Sequence, residues 1–293
     1  MTKGRNVETS TGLSPQLDKQ YMALRRVLDR YRSVLVAYSG GVDSGLLAYV
    51  ANDVLGGGAL SAIAVSASLP GREKRAALEF VARHGIACVQ VTTREMADER
   101  YRRNDPDRCY FCKAELFESL HEVARDRGLA RIAYGANLDD LGDYRPGARA
   151  AEERGVVTPL VEAGLDKRRV RAIAEALGLS LWDKPAAPCL ASRIPYFERV
   201  TAEKLRQVER SENILKDLGF RTCRVRHHGD AARVEVPAQD HDRLLGEDTW
   251  ARVVSSLVRI GFRRVTLERD GLRSGRLNDA IEKRSAAGNR GSD

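Results

Sequence analysis

The sequence predicts an α/β protein, with a parallel sheet covered by helices on both faces and a small α+β domain after it. Three observations carry this. Short β-rich runs alternate with helical stretches from Ser33 to about residue 177. The first runs are almost wholly apolar, as strands buried on both faces require. A segment with three prolines, "LWDKPAAPCLASRIPYFERV" (181–200), then breaks the alternation before a helix, two β-rich runs, a helix and a last β-rich run.

The elements follow in order. Leu17, Tyr21, Leu24 and Leu28 recur at helical spacing within 14–31, a packing face. "SVLVAY" (33–38), "LSAIAVSA" (60–67), "ACVQVTT" (87–93), "RIAYGAN" (131–137) and "GVVTPL" (155–160) read as strands. The helices between and after them cover 44–55, 72–84, about 112–127 and 166–177. Beyond residue 200 a helix is expected over 201–218, strands at "RTCRVRHH" and "AARVEVP" around a Gly-Asp turn, a helix at 247–260 and a strand at 262–269. The expected domains are an N-terminal helix and tail (1–32), the sheet domain (33–200), the small α+β domain (201–274) and a polar, mobile tail (275–293).

Charged residues make up 31% and hydrophobic ones 43%, which suits a soluble protein with a sizeable core. No apolar run is long enough to span a bilayer, and the N-terminus lacks the apolar core of a secretory signal, so a cytoplasmic location is expected. The net charge of +8 admits two readings, a scattered solvated surface or an anion-binding face. Five scattered cysteines argue for metal binding or catalysis rather than a disulfide frame.

"AYSGGVDSG" lies between the first strand and its helix. Gly40 and Gly41 let the backbone approach a ligand, the helix start offers unpaired N–H groups, and Ser39 and Ser44 add hydroxyls. Asp43 would repel phosphate unless Mg²⁺ lay between them, so its presence suggests a metal-bridged pyrophosphate. No Walker lysine and no G-x-G-x-x-G fingerprint is present. The six residues from Ser39 to Ser44 resemble the PP-loop of the ATP pyrophosphatase superfamily. That resemblance implies a Rossmann-like (HUP) sheet and cleavage of ATP to AMP and pyrophosphate.

"GANLDDLGDYRPG" (135–147) follows the fourth strand and is expected at the same sheet edge. Gly135, Asn137, Asp139, Asp140 and Asp143 offer close approach, hydrogen bonding and metal-ligand capacity, and Arg145 a phosphate partner. Cys189 stands between prolines on an extended segment, with Lys184 and Arg193 nearby to favour its thiolate. Cys109 and Cys112, in "RCYFCK", have the C-x-x-C spacing of zinc sites, iron–sulfur sites and redox switches, yet no second C-x-x-C exists. Cys88 is expected in the core, and the strand around Cys223 favours a structural role there also. Arg224 and Arg226 fall on one strand face, a pair suited to phosphate; Glu212 and Glu235 are weaker candidates for that site.

In this order, SGGVDS, G-x-N-x-D-D-x-x-D-Y-R-P-G and P-C-L-A-S-R-I-P-Y resemble the LarE family of ATP-dependent sulfur transferases over about residues 15–272. The resemblance implies adenylation of carboxylates of pyridinium-3,5-biscarboxylic acid mononucleotide and their conversion to thiocarboxylates, for the nickel-pincer nucleotide cofactor of lactate racemase and related enzymes. It implies ATP at Ser39–Ser44, Gly135, Asn137 and Asp140, Mg²⁺ near Asp43, and the substrate phosphate at Arg224 and Arg226. In members with one cysteine, the residue matching Cys189 gives up its sulfur. Members with three cysteines at these motifs hold a 4Fe–4S cluster, which here implies Cys109, Cys112 and Cys189 as its ligands. A homo-oligomer is also expected.

The nearest rival is a PP-loop tRNA thiolase, favoured by the pI of about 9.4 and disfavoured by only 6% aromatic residues for stacking bases. A ligase resembling NAD synthetase leaves three cysteines unexplained. A nucleotide-sensing module without catalysis is the reading from another class.

Overall fold

The computed structural model describes residues 13–141 and 146–273. Asp143 and Arg145 of the second motif, and the expected tail, lie outside them. In chain order come α1 (Pro15–Tyr31), β1 (Val34–Ala37), α2 (Val42–Leu55), β2 (Ala59–Val65), α3 (Gly71–Arg83), β3 (Cys88–Thr92) and α4 (Glu99–Arg102). Next are α5 (Arg108–Asp126), β4 (Arg131–Tyr134), α6 (Pro146–Glu152), α7 (Pro159–Glu162) and α8 (Lys167–Ala176). The last are α9 (Ala202–Asp217), β5 (Arg224–His228), β6 (Ala231–Glu235), α10 (His241–Leu245), α11 (Glu247–Ile260) and β7 (Arg264–Leu267).

The chain forms two compact units. The first, residues 1–65, 72–93 and 113–186, holds a parallel sheet in the order β3-β2-β1-β4. All four residues of β1 are buried, because both faces of this central strand are covered. One face packs Leu35, Ala37, Ala62 and Ile132 against Phe117, Leu120 and Ala124 of α5. Helix α2 is apolar almost all round and packs against α1 and α8. The expected α1 stripe is present, with Tyr21, Leu24, Val27 and Leu28 buried and Pro15 starting the helix. Strand order reverses between β1 and β4, so the loops after these two strands flank a topological switch point, where open α/β sheets bind ligands.

Two expectations need correction here. "GVVTPL" is not a strand: Val157 makes a single parallel bridge with Ala133, and Pro159 then opens α7. Proline has no N–H for a ladder and suits the first turn of a helix, so pairing stops at once. The fifth helix begins at Arg108 rather than near 112, which puts both cysteines of "RCYFCK" inside its first turns.

The second unit gathers 66–71, 94–112 and the chain from 187 onward. Its sheet runs β5-β6-β7, antiparallel then parallel, with Gly229 at φ 63° in the β5–β6 turn. Val225, Val234, Leu215, Val253 and Leu257 form its core between the sheet, α9 and α11. The compact units therefore divide the chain near 187 rather than at 200, and the second reaches back in sequence. The reason is a set of backbone bonds: Leu190 N–H to Ser68 O (2.9 Å), Phe197 N–H to Asn104 O (3.0 Å) and Val200 N–H to Arg102 O (2.8 Å). No helix among the described residues is long and apolar enough to cross a membrane.

Candidate active site

In the first unit the loop after β1 folds around one serine. Ser44 Oγ accepts from the Ser39 N–H at 3.1 Å, lies 3.0 Å from Ser39 Oγ and donates to Gly41 O at 3.3 Å. Gly40 adopts φ 76°, and a Cβ there would lie 2.7 Å from Ala77 Cβ, so glycine is required twice over. Gly41 is the N-cap of α2 and offers no side-chain cap, which leaves the first N–H groups of that helix for an anion.

The loop after β4 meets this one. A Cβ on Gly135 would stand 2.8 Å from Ser44 N, so the absent side chain allows the β4 end to reach the α2 start. Asn137 caps the turn 138–140: its side chain accepts from Asp139 N–H, while Asp140 accepts from the Asn137 N–H at 3.0 Å. The remaining Asn137 amide hydrogen goes to Asp43 Oδ1 at 3.1 Å. Ser39, Gly40, Gly41, Asp43, Ser44, Gly135, Asn137 and Asp140 thus share one edge of the sheet.

Lys167 completes this group and was not anticipated. Its ammonium pairs with Asp43 Oδ2, while its backbone N–H donates to Asp139 at 3.0 Å. The available signal was electrostatic: a lysine in the first helical position, after an Asp166 cap, opposes the helix dipole and so points to a nearby anion. Lys184 departs from expectation. It donates to Gly40 O at 2.8 Å and pairs with Glu73 at 2.9 Å, so it is committed to bracing the loop after β1.

The second unit holds the three motif cysteines. Cys109 and Cys112 lie three apart in the first turns of α5, hence on one helix face. Cys189 has extended backbone (φ −57°, ψ 154°), as its flanking prolines suggested, and starts a tight turn over 190–193. Cys112 and Cys189 pack on one apolar cluster with Tyr101, Leu190, Ala191 and Ile194. The Tyr101 hydroxyl is pushed well above its ordinary range by burial and then by the nearby Cys189 and Cys112 sulfurs. Cys109 and Cys189 in turn both lie close enough to Arg108 to influence its guanidinium. Tyr101 thus neighbours Cys112 and Cys189, and Arg108 Nη2 lies 3.9 Å from Cys109 Sγ. No three His, Cys, Asp or Glu side chains among the described residues are grouped to hold a single metal ion.

Cys223 is buried in the core of the second unit, as expected. Cys88 is only half-buried, because β3 is an edge strand, so it is not the core residue expected.

Arg226 is buried and pairs with Glu235 at 3.1 Å, and donates to Ser192 O at 2.8 Å. Half-buried Arg224 donates to Arg273 O at 3.3 Å and has no carboxylate partner among the described residues. Burial, with the charge of Arg193 beside both, lowers these two guanidiniums from their ordinary value, and a bound anion would relieve that repulsion. Glu212 pairs bidentately with Arg193 at 2.7 and 3.1 Å and accepts from the Val225 N–H at 3.1 Å. Glu212, 3% exposed, is hydrogen-bonded through both oxygens, while Glu235, 0% exposed, is held by ion pairs to Arg226 and Arg233 at 3.1 and 3.6 Å.

No family model matches the chain. It is 43% identical to an uncharacterized protein of Synechocystis over 91% of this chain and all of that one. It is 40% identical over 256 residues to the pyridinium-3,5-bisthiocarboxylic acid mononucleotide synthase of Lactiplantibacillus plantarum, covering 87% of this chain and 92% of that protein. An uncharacterized protein of Methanocaldococcus jannaschii is 24% identical over 83% of this chain. With 40% identity across nearly the whole of both proteins, this chain belongs to the LarE family of the Lactiplantibacillus synthase.

Proposed function

We propose that the chain is an ATP-dependent sulfur transferase that converts carboxylates of pyridinium-3,5-biscarboxylic acid mononucleotide to thiocarboxylates. The observation that carries this reading is the 40% identity to the bisthiocarboxylic acid mononucleotide synthase. The loop geometry supports its first half. A substrate carboxylate oxygen attacks the α-phosphorus of ATP and expels pyrophosphate, which leaves an acyl adenylate. The N–H groups at the start of α2, with Ser39 and Ser44, hold the phosphates; Lys167 and Asn137 orient Asp43. Asp43, a carboxylate already facing a cation, fits Mg²⁺, which commonly takes one protein carboxylate and completes its shell with phosphates and water. Lys167 would then release Asp43 and turn to phosphate.

In the second half a sulfur nucleophile attacks the acyl carbon and expels AMP. Cys109, Cys112 and Cys189 are the candidate source, and their common neighbours Tyr101 and Arg108 support their acting as a set. Three thiolates fit a 4Fe–4S cluster, which would leave one iron open to bind and pass on sulfide. The alternative within this reading is sacrifice of Cys189 itself, with loss of its sulfur. Arg224 and Arg226 take the substrate phosphate. Location in the cytoplasm and assembly into a homo-oligomer complete the proposal.

The test is anaerobic incubation with ATP, Mg²⁺ and the pyridinium dicarboxylate mononucleotide. Pyrophosphate release that depends on that substrate is expected. Its steady absence, or release stimulated by tRNA instead, would overturn the assignment.

A further inference from the structure

The Arg108 guanidinium is buried, with 2% of its surface exposed, yet no carboxylate pairs with it among the described residues. Its contacts are neutral. Nη1 donates to Asn104 Oδ1 and, at 2.9 Å, to Ala191 O; Nη2 approaches Cys109 Sγ at 3.9 Å. The clamp around it is built for that purpose. Asn104 is fully buried at φ 63°, a left-handed conformation that asparagine tolerates better than most residues. Its amide nitrogen is spent on three carbonyls, of Ile194 (3.2 Å), Pro195 (2.7 Å) and Glu198 (3.0 Å), which turns its oxygen toward Arg108. Ala191 belongs to the turn that Cys189 begins. One cation is thus fixed by neutral oxygens between the C-x-x-C helix and the Cys189 turn, and its remaining nitrogen faces sulfur.

A buried charge normally has a counter-charge, since leaving water without one is costly. We propose that Arg108 is the fixed counter-ion of the cysteine set, a positioning residue that stabilises negative charge on Cys109, Cys112 and Cys189 and on whatever sulfur species they hold. Lysine could supply the charge but not the fork that spans Asn104, Ala191 and Cys109. The inference rests on reading the three cysteines as one set, though not on iron being bound.

The test compares alkylation of the iron-free full-length chain by anionic iodoacetate and neutral iodoacetamide at one pH, with each cysteine followed by peptide mass spectrometry. The ratio of the two rates at a given cysteine cancels its own ionisation and reports the local field. The ratio at Cys109 is expected to exceed that at Cys88 about threefold at low salt and to keep much of that excess at about 1 M salt, because a buried charge is screened little. Arg108→Met should remove the excess and Arg108→Lys restore most of it. Equal ratios at Cys109 and Cys88 in the wild type would overturn the proposal without needing a variant to fold, as would an excess that Arg108→Met leaves unchanged. Iron and sulfide content after anaerobic reconstitution is scored separately. A normal ratio without iron binding contradicts the cluster alone, and iron binding with no excess contradicts the counter-ion alone.

Discussion

At the scale of single residues, the loop after β1 depends on absent side chains as much as on present ones. A methyl group at Gly135 would meet Ser44 N at 2.8 Å and the Asp43 carbonyl carbon at 3.0 Å, both of them backbone atoms that cannot swing aside. Gly135→Ala is therefore expected to destabilise the fold by about 1–3 kcal/mol and to weaken ATP binding, measurable by urea unfolding and nucleotide titration. Asp43→Asn tests charge at nearly constant shape. It keeps the contact with Asn137 within reach but loses the pairing with Lys167 and any bound Mg²⁺. Pyrophosphate release should fall about 100-fold or more, read as a rate under saturating ATP. The residues of the loop were legible in the sequence because strand, glycine pair and helix start follow one another directly. Lys167 was not, because 124 positions separate it from Asp43 and only the fold brings them together.

At the scale of elements, a buried ion pair joins the 190–193 turn to α9, and the same carboxylate reaches β5. Arg193 and Glu212 have side chains only 5% and 4% exposed, and Glu212 also satisfies the Val225 N–H. Glu212→Gln would leave the guanidinium uncompensated, at an expected cost of about 3–5 kcal/mol in urea unfolding. The same sheet carries a pH response. Burial lowers His227 and His228 from their ordinary values, so the native state keeps both neutral where the unfolded chain would protonate them. Their contribution is present above about pH 6.5 and is lost as pH falls through the folded values. Urea midpoints should drop over that interval, and less steeply in His227→Gln. Strand and helix positions here followed from apolar periodicity. The start of α5 did not, because "RCYFCK" sets its hydrophobic residues side by side without helical period, and only the helix it opens shows Cys109 and Cys112 on one face. "GVVTPL" misled for a different reason: its apolar composition suits a strand, while Pro159 ends the ladder after one bridge.

For the molecule as a whole, a parallel sheet and a second small sheet follow from the alternation read along the chain, while the order 3-2-1-4 is set by the fold. The composition of the second unit does not. Segments 66–71 and 94–112 join it through backbone bonds such as Leu190 N–H to Ser68 O, which have no signature in apolar pattern. That regrouping puts Cys109, Cys112 and Cys189 in one compact unit. We propose that these three thiols pass on sulfur without the protein being consumed. The direct measurement is thiocarboxylate product per chain, taken beside the intact mass of the protein before and after an anaerobic reaction with ATP, substrate and a sulfide source. The account predicts several products per chain and an unchanged mass. A single product per chain with a mass loss of one H₂S at Cys189 would contradict it.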